Sequence, residues 1–286
     1  MSRRAEIVGP WQTRLAAVGV GDFARLLEGD GVALGLPGRW LNLVKPGLGG
    51  RERWRWDLPD GGTLFVKRYL RTPWREQWDR LWRQTMAHSR AWWEFRQAGS
   101  LHEQSVPVLR AVAVAEELCG GWECRSVVAT EALVGDAVDR SWERWRRAGA
   151  PVTRGAARHA FVRRLAQLVS AFHQTGFCHR DLYLCHIFVE LADGVAALPR
   201  FTLIDLARMH RPRLFRMRWI IKDLAQLDVS ARPLGATRAD RLRFLLAYLG
   251  LAPRAPRVRW YARRIVRKSD RILRRMARRR AAGRTP

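Results

Sequence analysis

Two carboxylates, Asp181 and Asp205, stand in settings suited to phosphoryl transfer. Asp181 lies in His179-Arg180-Asp181-Leu182-Tyr183-Leu184-Cys185-His186, and Asp205 follows 24 residues later within Leu203-Ile204-Asp205-Leu206. In that chemistry one carboxylate accepts the proton of an attacking hydroxyl, and another holds Mg²⁺ against the phosphates of ATP. Little else is needed beyond positioning and charge neutralisation. Asp181 is the candidate base and Asp205 the candidate metal ligand. His179 is a further candidate catalytic residue, and His186, five residues after Asp181, a second candidate for the metal.

Bound phosphates also require a cation and a close backbone. The run Thr63-Leu64-Phe65-Val66-Lys67-Arg68-Tyr69 reads as a strand after the turn Pro59-Asp60-Gly61-Gly62. It carries Lys67 as the candidate phosphate contact. Its hairpin partner is Arg53-Trp54-Arg55-Trp56-Asp57-Leu58, with polar and aromatic residues alternating. Upstream, Lys45-Pro46-Gly47-Leu48-Gly49-Gly50 offers Gly47, Gly49 and Gly50, where backbone N–H groups can approach a phosphate. Residues 76–97 contain no Pro or Gly and read as one helix. On it Glu94 is the expected partner of Lys67, with Glu76 as the alternative. Apolar runs at 106–114 and 126–130 read as strands, and the second leads into a hinge near Glu131–Gly135. A helix over 156–175 has Phe161, Leu165, Leu168, Val169 and Phe172 at helical spacing and stops at Gly176.

The ordered set of glycine run, strand lysine, helix glutamate, His-Arg-Asp loop and later aspartate resembles a protein-kinase-like fold. That resemblance implies an α+β, bilobed architecture, with an antiparallel sheet plus helix in the N-lobe and a mostly helical C-lobe. The departures narrow it. His186 stands where protein kinases carry Asn, Tyr183 lies within the loop, and Asp205-Leu206-Ala207 replaces Asp-Phe-Gly. Over residues 40–230 the chain resembles the lipopolysaccharide kinase family, the Kdo kinase/WaaP group. Its loop has the form H-R-D-x-Y-x-x-H, and its metal motif reads Ile-Asp-Leu. Lys222-Asp223-Leu224-Ala225-Gln226-Leu227 resembles that family's K-D-L-A-x-L segment. A salt-bridged helix start is an equal reading of Lys222 and Asp223.

The resemblance implies ATP- and Mg²⁺-dependent phosphorylation of a heptose or Kdo hydroxyl on the lipopolysaccharide inner core. Asp181 would be the base, Asp205 the main metal ligand, Lys67 the α/β-phosphate contact and Glu94 its partner. Imidazole suits hard Mg²⁺ less well than an amide oxygen, so His186 either takes the second-metal position or hydrogen-bonds Asp181 or a phosphate. Two other readings stay open. One is a kinase-like phosphotransferase for a protein or small-alcohol acceptor. The other is a catalytically silent, membrane-docked scaffold. The expected organisation is an N-terminal extension at 1–36, an N-lobe at 37–135, a C-lobe at 136–253 and a basic amphipathic helix at 254–286.

Charge and composition bound the partners. The chain has 286 residues, a length suited to one bilobed domain, and carries a formal charge of +27 with pI near 11.6. Residues 254–286 hold 14 basic residues and one acid, Asp270, with Trp260, Tyr261, Ile265, Ile272, Leu273 and Met276 at near-helical spacing. Such a helix suits an anionic membrane or glycolipid surface. Packing on the domain and nucleic-acid binding are the competing readings, and nucleic acid is the least favoured. Fourteen tryptophans include Trp74, Trp78 and Trp82 at i, i+4 and i+8. That stripe fits either packing against the small lobe or an interfacial role, which Trp favours. The cysteines, Cys119, Cys124, Cys178 and Cys185, show no C-x-x-C spacing, and free thiols are expected. No apolar run is long enough to span a membrane, and no secretory leader is read at the N-terminus. Location in the cytoplasm, peripheral at the inner membrane, is the expectation.

Overall fold

The computed structural model describes residues 1–44, 50–191 and 199–283. They divide into two compact units. The first comprises Met1–Leu133 and Asp205–Arg208, and the second Val134–Ile204 and Met209–Pro286.

The first unit is built on a six-stranded sheet. Its elements are β1 (Ser2–Ile7), α1 (Gly9–Ala17), β2 (Arg39–Asn42), β3 (Arg51–Asp57), β4 (Thr63–Tyr69), α2 (Trp74–Arg83), α3 (Arg90–Glu103), β5 (Ala111–Cys119) and β6 (Trp122–Glu131). The strand order is β1-β5-β6-β4-β3-β2, with every pairing antiparallel. Alternation along β4 gives each sheet face its own job. Leu64 and Val66 enter a core with Trp56, Val127 and Ala129. Tyr69, two residues after Lys67, faces the opposite way and packs with Ala91, Trp92 and Phe95 of α3. Lys67 therefore sits on the α3 side of the sheet.

Three expectations change in this unit. Residues 1–36 are not an appendage: β1 pairs with β5, and Trp11, Leu15, Phe23, Leu26 and Leu27 are buried in the same core as Trp56. The single helix read over 76–97 is two. The chain leaves the helix after Arg83 and restarts at Arg90, where the Ser89 hydroxyl accepts the Trp92 N–H at 3.1 Å. A serine cap gives a new start without Pro or Gly. The thiol expectation is also corrected. Cys119 and Cys124 flank the β5–β6 turn with Cα atoms 6.3 Å apart and are disulfide-bonded, because the turn folds the chain back within bridging reach. Cys178 and Cys185 are free thiols.

The second unit contains β7 (Asp136–Ala137), α4 (Val138–Arg147), α5 (Gly155–Gln174), β8 (Ile187–Glu190), β9 (Arg200–Leu203), α6 (Arg216–Ala231), α7 (Arg238–Leu249) and α8 (Pro256–Ala281). The strands form a small antiparallel sheet in sequence order. The basic C-terminal helix, α8, packs on α6. Val258, Tyr261 and Ser269 are buried, Ser269 Oγ donates to the Ala225 carbonyl at 3.3 Å, and Asp270 pairs with Arg232 at 2.9 Å. One face of α8 is thus packed, and its arginines line the other. Among the described residues no helix is long and apolar enough to cross a membrane.

Candidate active site

The candidate residues fall into two clusters, one in each unit. In the first, Lys67 Nζ donates to Glu94 Oε1 at 2.8 Å and to Asp205 Oδ1 at 3.3 Å. Glu94 is fully buried, and among the described residues its Oε2 has no hydrogen-bond partner. Burial opposes the charge on Lys67, but Glu94 and Asp205 outweigh it and raise its pKa above the ordinary lysine value. The ammonium is therefore fixed in place and permanently charged. Glu76, the alternative partner, is engaged by Arg51 and Arg90 instead.

A residue not singled out from sequence joins this cluster. Arg53 lies opposite Lys67 in the β3–β4 register, and its guanidinium is 3.9 Å from Asp205 Oδ2. Asp205 thus faces two cations, both placed by one pair of strands. Its backbone is left-handed, at φ 61°, a conformation that non-glycine residues adopt mainly where the surroundings enforce it. Of the glycine candidates, Gly47 and Gly49 lie outside the described residues. Gly50 has φ 75°, and a Cβ there would sit 2.8 Å from the Arg71 carbonyl oxygen. The position admits only glycine without a shift of the chain.

The second cluster is the loop carrying Asp181. It is clamped from beneath by α6. The Asp223 carboxylate, fully buried, accepts the backbone N–H of His179 at 2.7 Å and of Arg180 at 2.8 Å. The Lys222 ammonium donates to the Arg180 carbonyl. Two consecutive residues of one helix thus hold both polar groups of the Arg180 backbone, which is left-handed at φ 73°. Lys222 and Asp223 lie inside α6, which begins at Arg216, so they do not form a helix start. Behind Asp223, His173 Nε2 lies 3.3 Å from Oδ2, and His173 Nδ1 lies 2.9 Å from the Tyr248 hydroxyl. Burial alone would raise the Asp223 carboxyl, but the His173 hydrogen bond and the His179 N–H hold it below its ordinary value.

Two histidines brace the same loop. His179 is fully buried, and its Nε2 donates to the Ile204 carbonyl at 2.9 Å, tying the loop to the residue before Asp205. His186 Nδ1 donates to the Asp181 carbonyl at 2.7 Å. A nitrogen that carries a proton has no lone pair for a metal, so any metal contact by His186 would use Nε2. The Ile204 N–H in turn donates to the His186 carbonyl at 3.0 Å. Potential metal-ligand atoms of His173, Cys178 and Asp223 lie within 4.8 Å of one another. This group reads better as a hydrogen-bonded support. Both Asp223 oxygens already accept backbone donors, and burial pushes the Cys178 thiol up, against the thiolate a metal needs.

Known proteins resemble the chain over most of its length. The model of the lipopolysaccharide kinase (Kdo/WaaP) family matches residues 49–248. The lipopolysaccharide core heptose(I) kinase WaaP of Pseudomonas aeruginosa is 33% identical over 204 residues, covering 70% of this chain and 74% of that protein. The enzyme of the same description from Escherichia coli K12 is 34% identical over 91 residues, 32% of this chain and 34% of that one. A solved structure described as WaaP in complex with acyl carrier protein has a TM-score of 0.66 at 27% identity, covering 93% of this chain and 99% of that one. It shares the α+β architecture. With a family match over most of its length, the chain belongs to the lipopolysaccharide kinase (Kdo/WaaP) family and is an ATP-dependent kinase.

Proposed function

We propose that this kinase transfers the γ-phosphoryl group of ATP to a sugar hydroxyl, of a heptose or Kdo, on the lipopolysaccharide inner core. The observation that carries the reading is the Lys67 ammonium held at 2.8 Å by buried Glu94 and at 3.3 Å by Asp205. A charge fixed in this way is an arrangement for binding phosphate, and the family match supplies the acceptor class. In this reading Asp181 accepts the proton of the acceptor hydroxyl. Lys67 contacts the α/β-phosphates, and Gly50 brings its backbone N–H toward them. Arg53 adds a second cation beside Asp205. Asp223, Lys222 and His179 position the loop.

The residues present fit Mg²⁺. Asp205 offers a partly exposed carboxylate with hard oxygen donors, whereas His186 could offer only one imidazole nitrogen. Asp205 would be the main ligand and His186 an accessory one. The ion would supply neutralisation of charge on the β- and γ-phosphate oxygens. The excess of positive charge supports a peripheral site of action at the cytoplasmic face of the inner membrane.

The test is Mg²⁺-dependent transfer of labelled γ-phosphate to extracted lipopolysaccharide cores, followed by mapping of the labelled sugar. Label on a core heptose or Kdo is the expected result. Label confined to protein or to small alcohols would overturn the acceptor assignment.

A further inference from the structure

Helix α2 is turned inside out. Its only buried side chains are polar, Gln77 and Arg80, and Arg80 retains just 1% of its surface. Both bond to main-chain carbonyls within the fold. Gln77 Nε2 donates to the Glu123 carbonyl at 2.7 Å, and Arg80 donates to the carbonyls of Thr85, His88 and Gly121. The opposite side carries Trp74, Trp78 and Trp82, exposed at 63%, 55% and 85%, and the chain continues to exposed Met86. Trp122, at the tip of the β5–β6 turn, packs its ring edge-on to Trp78 with centroids 5.9 Å apart. The aromatic stripe is therefore a surface shared by two elements.

An amphipathic helix ordinarily buries its apolar stripe, and soluble surfaces rarely gather several exposed tryptophans in one place. Here folding has anchored the helix through hydrogen bonds and left the apolar side outward. The charges around it are lopsided. Glu76 is engaged by Arg51 and Arg90, and Asp79 by Arg83. Arg71 and Arg75 are exposed, and the Arg75 guanidinium lies 5.3 Å from the Trp74 ring centre. Tryptophan with arginine at its margin matches the headgroup region of an anionic bilayer, where the ring inserts at the boundary and the guanidinium meets phosphate.

We infer that Trp74, Trp78, Trp82, Met86 and Trp122 form a membrane-docking surface that enters the headgroup layer of an anionic bilayer. This rests on the peripheral membrane location proposed above and adds to it the surface that makes contact. Charge complementarity selects this occupant: a chain of net charge +27, with exposed arginines beside the stripe, is drawn to anionic lipid.

The test uses the full chain and the variant Trp74→Gln/Trp78→Gln/Trp82→Gln. All three side chains are exposed, so the fold is expected to tolerate the change. Each protein is sedimented with vesicles of phosphatidylethanolamine and phosphatidylglycerol, and with vesicles of phosphatidylcholine alone. Wild type should prefer the anionic vesicles, and the variant should partition at least about tenfold less well. Phosphorylation of delipidated core oligosaccharide should be unchanged, while that of vesicle-embedded glycolipid should fall. Equal partitioning of the two proteins would overturn the surface while leaving the peripheral location intact. Failure of wild type to bind either vesicle would remove both. A wild-type dimer that the variant dissolves would assign the stripe to a second copy of the chain. Loss of activity on the delipidated acceptor would assign it to the fold or the active site.

Discussion

The two clusters of candidate site residues are held by different means. Around Lys67, side chains hold side chains: one ammonium, one guanidinium and two carboxylates gather with Glu94 fully buried and Asp205 partly open. Around Asp181, side chains hold backbone: Asp223, Lys222, His179 and His186 all bond to main-chain groups. Opposed charges kept close leave a strong local field, which suits a charged ligand. Backbone clamps leave shape, which suits a side chain that must point in one direction. The contrast is the one the proposed function calls for: a charged ligand at the first cluster and an oriented Asp181 at the second.

The largest expected effect lies in the second cluster. Asp223→Ala strips two buried backbone N–H groups of their acceptor, and each such loss costs on the order of 1–3 kcal/mol. Denaturant unfolding should show a total loss of about 2–6 kcal/mol; a loss below about 1 kcal/mol would show that the clamp is dispensable. The same carboxylate gives a pH signature. Its pKa lies below the ordinary value in the folded chain, so the unfolded chain takes up its proton first. The stability it contributes is present above about pH 4 and declines as pH falls below that. Asp223→Asn should flatten this acid limb.

A smaller effect should come from the far end of the same hydrogen-bond chain. Tyr248→Phe removes the hydroxyl that meets His173 Nδ1, with little change of shape. We expect about 1 kcal/mol of destabilisation and nearly unchanged ATP affinity. A loss as large as that of Asp223→Ala would mean that the support works as one unit rather than a graded chain.

The sequence was most legible where chemistry restricts residue choice. Asp181, Asp205, Lys67 and Glu94 stand out because phosphoryl transfer, as proposed, would call for a base, a metal ligand and a fixed cation with its partner, each a particular side chain at a particular separation. Arg53 escaped notice because its position beside Asp205 depends on strand register, with Arg53 opposite Lys67. The role of the Lys222-Asp223 pair escaped it because its partners are backbone atoms more than 40 residues away. Strand β1 carries Ser2, Arg3, Arg4 and Glu6 and lacks an apolar alternation, so only its pairing with β5 reveals it. The tryptophan stripe shows the opposite limit. Its period was plain, but a period tells which residues share a face and not whether that face turns inward. Gln77 and Arg80, bonded within the fold, settle that.

The division of labour is tested most directly by measuring ATP binding and phosphoryl transfer on the same two variants. Calorimetry with and without Mg²⁺ should show that Asp181→Asn binds ATP like wild type while its transfer to lipopolysaccharide cores falls by about 10²–10⁴-fold. Asp205→Ala should lose Mg²⁺-dependent binding itself. Wild-type transfer by Asp181→Asn, or undiminished Mg²⁺-dependent ATP affinity in Asp205→Ala, would contradict the assignment of base and metal ligand.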